Sequence, residues 1–181
     1  AAHQIVSNLA AVMFMTPLSL AIATSARVSY WLGAADPKRA RASIRTGFKL
    51  GLGLALGMAF VLTLGRNTIA SGYSTDPEVE ALAASLLIWL AVFHLGDAVQ
   101  GICVFILRCY RVAVVPLVLY CVLLWGVGLG GGYLLAYVGI GPVAALHSPA
   151  AFWIAATVSL ALLALILPVV LWRAVRSCRP A

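Results

Sequence analysis

Residues 81–107 read ALAASLLIWLAVFHLGDAVQGICVFIL, an apolar run interrupted by one formal charge, Asp97. As a helix, twenty-seven residues extend roughly 40 Å, against a bilayer hydrocarbon core of about 30 Å. The stretch is therefore long enough to span a membrane, and Asp97 falls inside the hydrocarbon. An aspartate at that depth costs on the order of 2.5–3.5 kcal/mol on insertion scales, so such carboxylates usually face a cavity, a partner or an ion path. Asp97 is the first functional candidate.

Composition extends this reading to the whole chain. Of 181 residues, 64% are apolar and 9% charged, whereas a soluble domain devotes about a quarter of its residues to charge. The net charge of +7 does not indicate nucleic acid, because the basic residues stand at the ends of apolar runs and do not form a face with interleaved aromatics. The four cysteines, Cys103, Cys109, Cys121 and Cys178, stand singly, which argues against a zinc site or a disulfide framework and for small packing residues. No initiator methionine or signal-peptide pattern opens the sequence, and the expectation is that it starts partway into a protein.

Outward from 79–107, four further spans are expected. The first, about 5–32, holds Pro17, which predicts a kink, and many small polar residues, which predict contact with other helices or a cavity. Arg27 near its end reads as an interfacial anchor. A polar break over 33–45 follows, in which Asp36 caps a new helix and Pro37 occupies its first turn. The second span, about 44–64, carries Gly47, Gly51, Gly53 and Gly57 in two small-xxx-small pairs suited to close helix approach. Residues 65–75 read as a second break, and Asp76-Pro77-Glu78 repeats the cap-and-proline arrangement before the Asp97 helix. The fourth span, about 112–137, contains Pro116 and the run GVGLGGG at 126–132, with five glycines in seven residues; bending or close contact is expected there. That run is no dinucleotide fingerprint, which would have to follow a strand and open an α/β unit. The fifth span is about 150–172, with Pro168 near its end.

Ten basic residues lie in breaks one and three or near the C-terminus, against Arg66 alone in breaks two and four. This asymmetry predicts a cytoplasmic C-terminus and an N-terminus on the opposite side. The resulting fold class is all-α, a single polytopic membrane domain of five helices over residues 1–181.

On the third helix His94, Asp97, Gln100 and Gly101 are related by three- and four-residue steps, which brings them near one another on a helical face. A carboxylate beside an imidazole and an amide can bind a monovalent cation through oxygens, or take up a proton, and either event neutralises buried charge and biases a conformational equilibrium. A structural inter-helix hydrogen bond is the alternative for each of the three. Enzyme chemistry has no support, since H-E-x-x-H, G-x-S-x-G and Walker motifs are all missing. His3 and His147 read as surface or interfacial residues. No cofactor is implied.

Motifs in order along nearly the whole chain resemble the multidrug and toxic compound extrusion (MATE) family of the bacterial NorM-like kind. They are His3-Gln4-Ile5 with Asn8, Met13-Phe14 with Pro17 and Ser19, Arg27-Val28 before Leu32-Gly33, Asp76-Pro77-Glu78-Val79, Asp97-Ala98-Val99-Gln100, Leu107-Arg108, Trp125 with Gly128, Gly132-Tyr133 and Phe152-Trp153. The resemblance implies family helices eight to twelve, most of one six-helix lobe, from a twelve-helix transporter that exports cationic or amphiphilic drugs in exchange for Na⁺ or H⁺. It implies that Asp97 is the cation- or proton-binding residue, Na⁺ being the one metal ion in question, with Phe93, His94, Gln100 and Asn8 supporting it or lining a cavity. Phe93 stands where some relatives place a tyrosine near the cation, and Gly130 where a proline is usual. Pro17, Pro116, Gly126 and Gly130 are the expected hinge or packing positions. The implied partners are membrane lipid, the drugs and an N-terminal lobe, including an acidic residue of the seventh helix, and the implied location is a bacterial inner membrane. Rival readings are a lipid-linked saccharide flippase of the same superfamily and a non-transporting membrane scaffold or subunit.

Overall fold

In the computed structural model, which describes residues 2–139, 141 and 144–177, five helices are long and apolar enough to cross a membrane. They are α1 (Ala2–Gly33), α2 (Pro37–Tyr73), α3 (Pro77–Cys109), α4 (Val114–Val138) and α5 (Ala150–Ser177). No strand occurs among the described residues.

The starts of α2 and α3 are set locally. Asp36 Oδ1 accepts from the Arg39 amide at 2.9 Å and Asp76 Oδ1 from the Glu78 amide at 3.0 Å, each satisfying a first-turn N–H that has no intrahelical acceptor. Pro37 and Pro77 follow directly, where a missing N–H is harmless. Glu78 and Glu80 add negative charge at the positive end of α3, and Arg108 stands at its other end. The α1–α2 connection is only Ala34–Asp36, and Ala35 takes a left-handed φ of 55° to turn the chain.

Helix lengths differ from the breaks read in the sequence. The second break, taken as 65–75, belongs largely to α2, which runs to Tyr73. Hydropathy falls after Leu64, but the residues up to Tyr73 include no proline and Ala70 is buried, so the backbone continues as helix until Ser74 takes an extended conformation. The first break shrinks likewise, from 33–45 to the short turn.

In α4, Pro116 is the third residue, where the lost N–H is one the helix leaves unpaired in any case, so it starts this helix and does not interrupt it. The glycine-rich part is continuous but wider than an α-helix. Residues Cys121–Gly130 and Leu134–Val138 wind as π-helix, with i→i+5 bonds such as that from the Gly139 amide to the Leu134 carbonyl at 2.8 Å. Pro17 and Pro168 lie inside the continuous helices α1 and α5.

Helix α3 is the core of the bundle, packed against α1, α2 and α5, while α4 lies on α5. Two apolar clusters sit at different levels. One contains Val6, Met13, Leu62, Leu86, Leu90 and Trp153. The other, toward the basic end, contains Val28, Ile102, Ile106, Leu163 and Leu167. Glycines permit the close approaches. A methyl group on Gly47 would meet Thr24, on Gly51 would meet Ile102, on Gly96 the Leu160 backbone, on Gly128 Ser159 and on Gly132 Phe152. Gly53 and Gly57 face no neighbour, so only one of the two small-residue pairs in α2 is a packing seam. In α4 the contacts fall on Gly128 and Gly132. Gly126 has nothing within 4 Å and Gly130 meets only the Trp125 carbonyl of its own helix, so neither packs against another helix.

Candidate functional site

Between the two apolar clusters, α3 carries a polar layer. Asp97 is 8% exposed, His94 2% and Gln100 6%. Their spacing of three residues aligns them along one side of α3, and Gln100 Nε2 donates to Asp97 Oδ1 at 2.8 Å. Gln100 thereby orients the carboxylate from its own helix.

Two other atoms of this layer have no hydrogen-bond partner among the described residues. His94 Nε2 and Gln100 Oε1 are buried without a hydrogen bond. Leaving such an atom unsatisfied costs about 1–3 kcal/mol, so each is a candidate contact for an ion or another polar group. His94 lies in a narrow crevice against Thr16, Pro17 and Leu20 of α1 and Gly51, Leu54 and Met58 of α2. Pro17 therefore touches the crevice of His94, an arrangement that links a proline of α1 to the polar layer.

The remaining candidates divide. Phe93 is one residue from His94 and packs edge-on against Trp153 of α5, ring centroids 5.8 Å apart. Trp153 Nε1 in turn donates to His3 Nδ1 at 3.2 Å. His3, read as a surface residue, is exposed but ties the start of α1 to α5 through this bond. Asn8 is exposed on the bundle and accepts from Gln4 Nε2 at 3.2 Å; it makes no hydrogen bond to Asp97.

Among the described residues, no three His, Cys, Asp or Glu side chains group as a metal site. Cys103 is buried, Cys109 partly buried and Cys121 exposed, so the packing reading suits the first two; Cys178 lies outside the described residues.

Chemically, the layer offers one carboxylate, one free amide oxygen and one imidazole nitrogen in an apolar surround. Hard monovalent cations take oxygen ligands, and a proton needs only a carboxylate oxygen.

The MatE family model matches residues 1–134. The chain is 36% identical over 161 residues to the probable multidrug resistance protein NorM of Aromatoleum aromaticum, covering 88% of this chain and 34% of that protein. It is 39% identical over 153 residues to the multidrug resistance protein MdtK of Pectobacterium atrosepticum, covering 84% and 33%. It thus spans about a third of the length of these relatives. The crystal structure of the eukaryotic MATE transporter AtDTX14 superposes with a TM-score of 0.83 over 97% of this chain and 39% of the other, at 20% identity, a likeness of fold. With five helices fit to cross a bilayer, this multi-pass membrane chain belongs to the MATE family, a family of transporters.

Proposed function

We infer that this chain forms five helices of the C-terminal lobe of a secondary transporter that exports cationic or amphiphilic drugs in exchange for Na⁺ or H⁺. Asp97 is the residue that takes up the coupling ion. The observation that carries this reading is the buried Asp97 carboxylate in the middle of α3, between two apolar clusters and hydrogen-bonded to Gln100. Names of relatives as multidrug resistance proteins support the cargo class, and the coverage of about a third of their length supports a larger assembly that supplies the N-terminal lobe.

The proposed mechanism follows from charge. An ionised Asp97 in hydrocarbon is costly, and binding a proton at the carboxylate or a cation at its oxygens removes that cost. Gln100 Oε1, buried and unpartnered, is a second oxygen for a cation. Neutralisation favours the packing in which the layer is most enclosed, and a drug that binds the alternative packing is released as the equilibrium shifts. Only a difference in ion affinity between the two packings can drive this exchange. The C-terminus would lie in the cytoplasm, by the distribution of basic residues.

The test is efflux of a fluorescent organic cation by the complete transporter with Asp97→Asn. The variant keeps the shape and the Gln100 contact but not the charge, and ion-driven efflux should be lost while the protein still reaches the membrane. Efflux at the wild-type rate would refute the role of Asp97.

A further inference from the structure

At the end of the bundle where α2 begins and α5 finishes, a cleft of about 350 Å³ opens between the two helices. Each wall is a single helical face. Arg41, Arg45 and Phe48 come from α2, and Leu171, Trp172 and Arg176 from α5; Arg41, Arg45 and Phe48, like Trp172 and Arg176, stand at the three- and four-residue steps that align side chains. Because α2 enters and α5 leaves at this end, Arg41, Arg45 and Arg176 gather at the mouth. Phe48 and Leu171 line the cleft further toward the middle of the spans.

Among the described residues, the three guanidinium groups have no acidic counterpart. The chain has five acidic residues. Asp36 pairs with Arg39, Asp76, Glu78 and Glu80 lie at the opposite end of the bundle, and Asp97 lies in the polar layer. Among the described residues, Arg41, Arg45 and Arg176 make no ion pair with a carboxylate. Arg176 is held instead by stacking on Trp172, with its guanidinium carbon 3.7 Å from the ring centroid. A tryptophan at the end of a spanning helix marks the headgroup level of the bilayer.

We propose that this cleft is a binding site for one anionic diacyl phospholipid, its phosphodiester at Arg41, Arg45 and Arg176 and an acyl chain along Phe48 and Leu171. Convergent arginines suit phosphate because each guanidinium offers paired donors, and basic pockets between spanning helices are suited to acidic headgroups. The apolar inner part of the cleft distinguishes a lipid from free phosphate, which has nothing to place there. The site is independent of Asp97 and of the transport reading.

The protein, purified in mild detergent, is incubated with equal amounts of phosphatidylglycerol and phosphatidylcholine, and retained lipid is read by native mass spectrometry. Phosphatidylglycerol should be preferred by about tenfold or more. The preference should collapse in the triple variant Arg41→Gln, Arg45→Gln, Arg176→Gln, survive largely in the corresponding triple lysine variant, and be unchanged in Arg66→Gln at the other end. Brominated phosphatidylglycerol should quench tryptophan fluorescence more than brominated phosphatidylcholine, with the excess falling in Trp172→Phe; this reading needs no arginine variant to fold. Equal retention of the two lipids, a preference that survives the glutamine triple, or displacement of lipid by equimolar inorganic phosphate would overturn the proposal. So would a second helix of a larger assembly that fills the cleft and leaves no lipid bound.

Discussion

Replacing Gly47 with alanine is a sharp test of the packing, because two opposed effects differ in a known direction. Alanine is favoured over glycine in a helix by about 1 kcal/mol. Yet a Cβ at this position would lie 2.5 Å from both γ atoms of Thr24 and 3.1 Å from its Cβ. Ordinary carbon contacts begin near 3.5 Å, so roughly 1 Å of room is missing. Rotating Thr24 does not create it, since both γ positions collide and threonine is stiff about χ1. Thr24 is also buried, at 5% exposure, so α1 and α2 must separate. Overpacking of this kind costs about 1–3 kcal/mol, leaving a net loss of up to about 2 kcal/mol after the propensity gain. Gly53→Ala, six residues along the same helix with nothing within 4 Å, carries only the gain. Thermal unfolding in detergent, followed by size-exclusion of the heated sample, should rank Gly53→Ala at or above wild type and Gly47→Ala below it. A Gly47→Ala variant as stable as Gly53→Ala would refute the α1–α2 seam.

Three further outcomes follow from other contacts. Gly132→Ala should destabilise the bundle more than Gly131→Ala, since a Cβ at 132 meets the Phe152 ring at 2.7 Å while 131 is open; heated-sample solubility of the two variants side by side checks this. His94→Leu should raise thermal stability by about 1 kcal/mol or more, because it removes a buried nitrogen that has no partner, while lowering ion-driven efflux in the complete transporter; a loss of stability would mean that the imidazole is structurally required. Ala35→Gly should stabilise by about 0.5–1 kcal/mol, as the left-handed φ of 55° strains alanine and not glycine, less the greater freedom of glycine in the unfolded chain; an unchanged melting midpoint would count against strain in the α1–α2 turn.

Much of this architecture is written in local sequence. Asp36-Pro37 and Asp76-Pro77 mark helix starts because capping and the proline ring act within one turn, and the structure bonds both aspartates as expected. The end of α2 was less legible. A fall in hydropathy after Leu64 reports departure from hydrocarbon, but a helix ends where its backbone does, at Tyr73. The glycines of α4 show a second limit. Spacing announces a small-residue surface, while the choice of Gly128 and Gly132 over Gly126 and Gly130 depends on the direction of α5 and on π winding, which are tertiary matters. In the candidate site, Asp97, His94 and Gln100 were readable because all three lie on one helix. The Phe93–Trp153–His3 chain was not, since those contacts cross between helices far apart in sequence.

The role of Asp97 is tested most directly by ion-dependent stabilisation of the complete transporter in detergent. A ligand bound only by the folded state stabilises by about 2.7 kcal/mol at a hundred times its dissociation constant. The wild-type melting temperature should therefore rise with Na⁺ at fixed ionic strength and pH if Na⁺ is the coupling ion, or with falling pH if it is a proton. In Asp97→Asn that response should vanish while the protein remains folded. A wild-type protein indifferent to both ions, or an Asp97→Asn variant that responds as the wild type does, would contradict the assignment of the coupling site.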